Sequence, residues 1–178
     1  PKFLLIARLL KEKGVREYVA AARLLKASNA NLEFHLVGWL DSNPSAVSES
    51  ELVEWVSEGL IEYHGFLDDV RPLLAKSTIF VLPSYYREGV PRTLLEAMAT
   101  GRPIVTCNTP GCRETVVDGV NGYLVPPRDP EALAASMRSI VENPKLAGEM
   151  GAASRQLAEK KFDVRIVTRV VLEAMDLC

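Results

Sequence analysis

Short apolar runs alternate along the chain with stretches in which apolar residues recur every three or four positions. Runs near 2–7, 33–38, 61–64, 79–83, 103–106 and 122–125 have the length and content of buried strands. Between them Val15, Tyr18, Val19, Ala22 and Leu25 recur at helical spacing, as do Leu52, Val53 and Val56, while Leu73 and Leu74 fit a short helix after Asp69. Strands and helices taking turns predict an α/β fold: a parallel sheet of about six strands with helices on both faces. Asp41 to Ser45 reads as a loop, and Asp118 to Gly122 as a turn feeding a strand. After Asp129-Pro130 a helical pattern runs from Ala132 to Val141, a second from Leu146 towards Lys161, and a last over 163–178, where Ile166, Val170 and Ala174 form an apolar face.

Composition narrows the class. With 178 residues, 48% hydrophobic and 25% charged, the chain reads as one domain able to bury about 70% of its unfolded surface. A net charge of −2 gives no field for a nucleic-acid backbone, so any phosphate must be held by local cations. Cys107, Cys112 and Cys178 are odd in number and lack metal-ligand spacing, which predicts reduced thiols in a cytoplasm-like compartment. No stretch approaches the ~20 apolar residues of a membrane span. A strand starting at Lys2, directly behind Pro1, leads us to expect that an upstream portion is missing from this chain.

The densest chemistry lies in Glu88-Gly89-Val90-Pro91-Arg92-Thr93-Leu94-Leu95-Glu96-Ala97-Met98-Ala99. Pro91 is suited to the first position of a helix, which leaves Glu88 in the preceding loop. Glu96 then lies roughly 7.5 Å further along the axis at ~1.5 Å per residue. A solvent-facing stripe would account for Glu96; so would a hydrogen-bonded ligand, because small apolar neighbours leave that stripe narrow and an unpartnered buried carboxylate costs several kcal/mol. The helix start near Arg92 and Thr93 offers free N–H groups and the positive end of the peptide dipole to a phosphate.

This run, with Ala99-Thr100-Gly101-Arg102-Pro103-Ile104-Val105 and Gly111-Cys112-Arg113-Glu114 after it, resembles the carboxy-terminal half of the large retaining glycosyltransferase group that includes bacterial mannosyltransferases and sucrose synthases. Further matches stand in the family's order: Ile6-Ala7-Arg8-Leu9 through Lys13-Gly14, Phe34 to Gly38, Tyr63-His64-Gly65-Phe66, Val81 to Ser84 and Asn121 to Pro127. The resemblance implies half of a GT-B fold, with a Rossmann-like sheet, residues 1–178 forming a single donor-binding domain and the acceptor domain lying outside the chain. It implies transfer of a sugar, with retention, from a nucleoside diphosphate sugar, UDP foremost, to a hydroxyl of a polysaccharide or lipid-linked acceptor. It also implies a cytoplasmic enzyme, at the inner membrane face where the acceptor is a lipid, with no metal and no cofactor. The wording around Tyr86 to Arg92 and Pro110 to Glu114 resembles capsule and exopolysaccharide assembly enzymes.

Carried over by position, Arg8 and Lys13 would hold the diphosphate and offset charge on the leaving group, and Glu88 would position the donor sugar; these form the catalytic set. Glu96 would accept from ribose hydroxyls. The amides of Gly89 and Val90 would meet the sugar, those of Arg92 and Thr93 the phosphates, and the main chain around Phe66 the base; Gly111 and Cys112 would border the sugar. Pro91 stands where many relatives have Gly and so removes one amide donor. Read without the family, Arg8 and Lys13 flank the turn at the carboxyl end of the first strand, where open α/β sheets bind ligands, but ordinary surface cations beside Glu12 would account for them too, and Gly111 to Glu114 read equally well as a plain turn.

His35 and His64 read as structural side chains, and Tyr85 and Tyr86 as packing near a strand end. No G-x-G-x-x-G follows the first strand, and neither a P-loop nor a nucleophile elbow is present, which disfavours dehydrogenases, nucleotide hydrolases and serine hydrolases. The alternatives left standing are a non-catalytic nucleotide-sugar binding or structural module, a nucleotide-sugar epimerase and a phosphorylase of related architecture. Nothing marks the cofactor lysine that a phosphorylase needs.

Overall fold

A computed structural model describes residues 1–175. Among the described residues six strands and seven α-helices follow in chain order: β1 (Lys2–Ile6), α1 (Val15–Lys26), β2 (Glu33–Val37), α2 (Glu49–Ser57), β3 (Glu62–Tyr63), α3 (Arg71–Lys76), β4 (Ile79–Leu82), α4 (Arg92–Ala99), β5 (Ile104–Cys107), β6 (Gly122–Val125), α5 (Pro130–Val141), α6 (Pro144–Lys161) and α7 (Val164–Ala174). All strands are parallel, in the order β3-β2-β1-β4-β5-β6, so the expected Rossmann-like sheet is present. Near-continuous burial of Phe3, Leu4 and Leu5, and of Ile79 to Leu82, follows from covering the sheet on both sides.

Two cores result. Tyr18, Val19, Ala22 and Leu25 of α1 pack with Leu133 and Met137 of α5 over one face, and Leu74 of α3 with Leu94, Ala97 and Met98 of α4 over the other. Cys107 and Cys112 are free and buried, and burial pushes the Cys107 thiol up to about 12; Cys178 lies outside the described residues.

Helix faces depart from expectation at two places. In α2 the core takes Leu52 and Trp55, while Val53 and Val56 are exposed. Both pairs are spaced three apart, so helical period alone does not choose between them, and the larger apolar surface of Trp55 goes inward. Pro91 is the residue before α4 rather than its first turn: φ −63° and ψ 127° are extended, and its carbonyl accepts from Leu94 N at 3.1 Å. α7 has no buried residue and exposes Val164, Val167, Val170 and Val171; the three positions 176–178 of the expected final helix lie outside the described residues.

Candidate functional site

β1 and β4 are adjacent, yet the chain leaving β1 turns into α1 on one face and the chain leaving β4 into α4 on the other. Diverging exits open a crevice at the carboxyl ends of the strands, where open α/β sheets bind ligands. Here it is a cavity of about 260 Å³ whose wall includes Arg8, Lys13, Trp39, Phe66, Glu88 and Thr93.

Lys13 ends a 3₁₀ turn, Lys11 to Lys13, closed by Gly14 N–H on the Lys11 carbonyl at 3.0 Å. Gly14 has φ 75°, and a β-carbon there would collide with the backbone and ring of Pro83, so only glycine lets this turn lie against the end of β4. The Glu12 carbonyl accepts from Tyr85 N at 2.9 Å and Tyr86 N at 3.1 Å, tying the two loops together. Lys13 is consequently only 8% exposed. Its ammonium is compensated by an ion pair donated to Glu88 and by the Tyr86 ring, whose centroid is 5.1 Å away. Arg8 follows β1 directly and stands at the mouth, half-exposed, with Nη1 3.6 Å from Asp41 Oδ2.

Opposite, α4 begins with no side-chain cap, and Pro91, Arg92 and Thr93 line the cavity. The first-turn N–H groups have no intrahelical acceptor, so an anion in the crevice would complete them. The far wall is aromatic: Trp39 and Phe66 are 45% and 61% exposed, with rings edge to face at 5.7 Å. Gly38 N–H donates to the Gly65 carbonyl at 2.9 Å and Tyr63 Oη to the Gly38 carbonyl at 2.8 Å, which holds both loops in place. Trp39 escapes a reading of sequence; the available signal is its position just beyond a predicted strand, on the rim where ligands gather.

Arg8, Lys13, Glu88, Arg92, Thr93 and Phe66 therefore share one hollow, whereas five other candidates stand outside its wall. Gly89 and Val90 occupy the loop between Glu88 and Pro91. Gly111, at φ 81°, packs so closely on the Glu88 and Gly89 carbonyls that a β-carbon would collide with them; it props the Glu88 loop. The expectation that Cys112 borders a sugar is not met by its side chain, which is fully buried with Sγ 3.8 Å from the Ser84 carbonyl. Glu96 accepts from Arg92 Nε at 2.9 Å and faces grooves towards α6 and α3 instead of the cavity.

A profile of the family described as "Glycosyl transferases group 1" matches residues 1–143. The chain belongs to that family. Among relatives of this group 1 glycosyl transferase chain, N,N'-diacetylbacillosaminyl-diphospho-undecaprenol alpha-1,3-N-acetylgalactosaminyltransferase of Campylobacter jejuni is 35% identical over 176 residues, covering 99% of this chain and 44% of the relative. The amylovoran biosynthesis glycosyltransferase AmsK of Erwinia amylovora is 29% identical, over 98% of this chain and 44% of the relative. The chain thus spans a little under half the length of these curated relatives. The structure of Anabaena Alr3699/HepE in complex with UDP superposes with a TM-score of 0.88 at 24% identity, over 99% of this chain and 49% of that one. Sucrose-phosphate synthase from Thermosynechococcus elongatus superposes at 0.84 with 26% identity, over 99% and 45%. These neighbours share the two-layered wrapping of one parallel sheet, the GT-B type of domain.

Proposed function

We propose that this chain is the donor half of a glycosyltransferase, which moves a sugar with retention from a nucleoside diphosphate sugar to a hydroxyl of a polysaccharide or lipid-linked acceptor. One observation carries the reading: a buried lysine, an arginine at the mouth and an uncapped helix start converge on a single crevice at the strand exits. Fixed cations and N–H dipoles favour charge that develops on a departing diphosphate, which is where the barrier to glycosyl transfer lies. As the anomeric C–O bond breaks, the leaving oxygen takes negative charge and the acceptor hydroxyl approaches the same face, passing its proton to that oxygen. Arg8, Lys13 and the amides of Arg92 and Thr93 stabilise the diphosphate. Glu88, held in place by Lys13, orients the sugar, while Gly89 and Val90 offer it main-chain donors and Glu96 reaches the ribose after letting go of Arg92.

The Trp39 and Phe66 wall fits a flat base. UDP is the carrier of first choice, being the nucleotide held by the Anabaena neighbour. A diphospho-undecaprenol compound in the name of one relative and amylovoran biosynthesis in that of the other support an acceptor of the lipid-linked or polysaccharide class; the site of action in this reading is cytoplasmic, at the membrane face for lipid-linked acceptors. The scheme requires no metal and no cofactor, and the acceptor groups belong to the partner half of the fold. Calorimetric titration with UDP-, GDP- and ADP-sugars tests it: we expect weak binding with UDP preferred. A GDP preference would overturn the carrier, and silence towards all three would favour a structural module.

A further inference from the structure

His35 and His64 look unrelated in sequence, yet β2 and β3 bring them onto one face at the sheet edge. His35 pairs in register with Glu62, and His64 N–H donates to the Leu36 carbonyl at 3.0 Å. Backbone ladder bonds thus set where all three side chains start, the kind of rigid support that a coordination site needs. His35 Nδ1 lies 2.9 Å from His64 Nε2, with ring centroids 5.2 Å apart. Glu62 places one carboxylate oxygen 3.5 Å from His35 Nδ1 and the other 3.6 Å from His64 Nε2.

Metal–ligand bonds of ~2.0–2.1 Å at tetrahedral angles put donor atoms about 3.3–3.4 Å apart. The two ring nitrogens, at 2.9 Å, need to part slightly, and Glu62, with one oxygen 3.5 Å from His35 Nδ1 and the other 3.6 Å from His64 Nε2, brings a single oxygen to both by a small turn of its exposed carboxylate; one donor atom from each of the three residues already lies within 4.8 Å of the others. We propose that His35 Nδ1, His64 Nε2 and the Glu62 carboxylate bind a divalent transition cation of the zinc class, with the fourth position left to water. Two imidazoles and one carboxylate select a borderline metal over magnesium or calcium.

A second observation points the same way. The His35 side chain is 7% exposed, and its other nitrogen, Nε2, is buried without a hydrogen-bond partner, 3.5 Å from Glu33 Oε2. Coordination through Nδ1 fixes the ring proton on Nε2, where a small movement delivers it to Glu33 as the outer carboxylate of a carboxylate–histidine–metal arrangement. Glu62 is 64% exposed on its side chain and supplies the entry path. A cation here would clamp β3, only two residues long, just before the Gly65-Phe66 segment that walls the crevice.

The test uses the chain stripped with chelator and titrated with Zn²⁺ by calorimetry, alongside Glu62→Gln and His64→Asn; it involves no nucleotide, so its failure leaves the donor reading untouched. Glu62→Gln changes an exposed side chain and keeps the fold, which circular dichroism verifies. We expect one equivalent bound, at least about tenfold weaker in each variant, and a melting temperature roughly 5–10 °C higher at ~100 times Kd in the unsubstituted chain. No binding, or unchanged affinity in either variant, would overturn the proposal.

Discussion

Glu88 and Glu96 carry the same charge eight residues apart, and the structure treats them in opposite ways. Glu88 sits in a loop, half-buried, paired with a lysine that the chain supplies 75 residues earlier and propped from below by Gly111. Glu96 sits on a regular helix and pairs with Arg92 of the same helix, whose side chain is 89% exposed. A long-range, desolvated pair holds a group in place and makes its loss expensive; a local surface pair is worth little and yields readily to a better partner. The two acids of this run are therefore one held group and one available group.

Removing the cation beneath the held acid should do the most damage. In a transferase that joins this chain to an acceptor domain, as proposed, Lys13→Ala is expected to lower kcat/KM by about 10²–10³ and, by stranding Glu88, to lower stability by ~2–4 kcal/mol in urea unfolding. Rates within a factor of three of the parent would show that the pair is packing alone. Gly111→Ala forces a side chain into a left-handed backbone and against the Glu88 loop, so a loss of about 1–3 kcal/mol is expected, together with weaker donor binding; an unaltered melting curve would mean that the loop has room to spare.

Glu96→Gln sharpens the contrast. Stability should move by less than ~0.5 kcal/mol, while UDP-sugar affinity falls about tenfold from the loss of a charged acceptor for ribose hydroxyls; the reverse pattern would make Glu96 a structural residue. An effect on stability alone concerns an acid remote from the crevice. Arg16 forks onto Glu51 at 2.6 and 2.9 Å and, with Ser48, holds its carboxyl down to about 2. A depressed carboxylate stabilises the fold fully above its unfolded value near 4.5 and loses that contribution as pH falls towards 2. The stability gap between the parent and Glu51→Gln should accordingly be largest near pH 6 and close by pH 2, as followed by urea unfolding across that range.

Much of this architecture was legible because period and length act locally: all six strands lie within a residue or two of where apolar runs place them. That Arg8, Lys13, Glu88, Arg92 and Thr93 line one cavity follows from their places near strand exits and a helix start, but local pattern did not separate Arg8 and Lys13 from ordinary surface cations; the resemblance to a family did. What lay hidden were pairings across the sheet. Nothing local tells that Lys13 meets Glu88, that His35 meets His64, or that Trp39 faces Phe66, since each contact depends on strand order. Leu52 and Trp55 against Val53 and Val56 in α2 is the same lesson on a helix: equal spacing leaves the inward face to be decided by what the helix lands on.

The crevice between β1 and β4 is where a nucleoside diphosphate sugar is proposed to lodge. Amide chemical shifts followed while UDP-sugar is added would test that most directly. The expected response clusters at Arg8, Gly38-Trp39, Gly65-Phe66 and the stretch from Gly89 to Thr93; saturable shifts confined to the α4–α6 groove, with those amides unmoved, would contradict it.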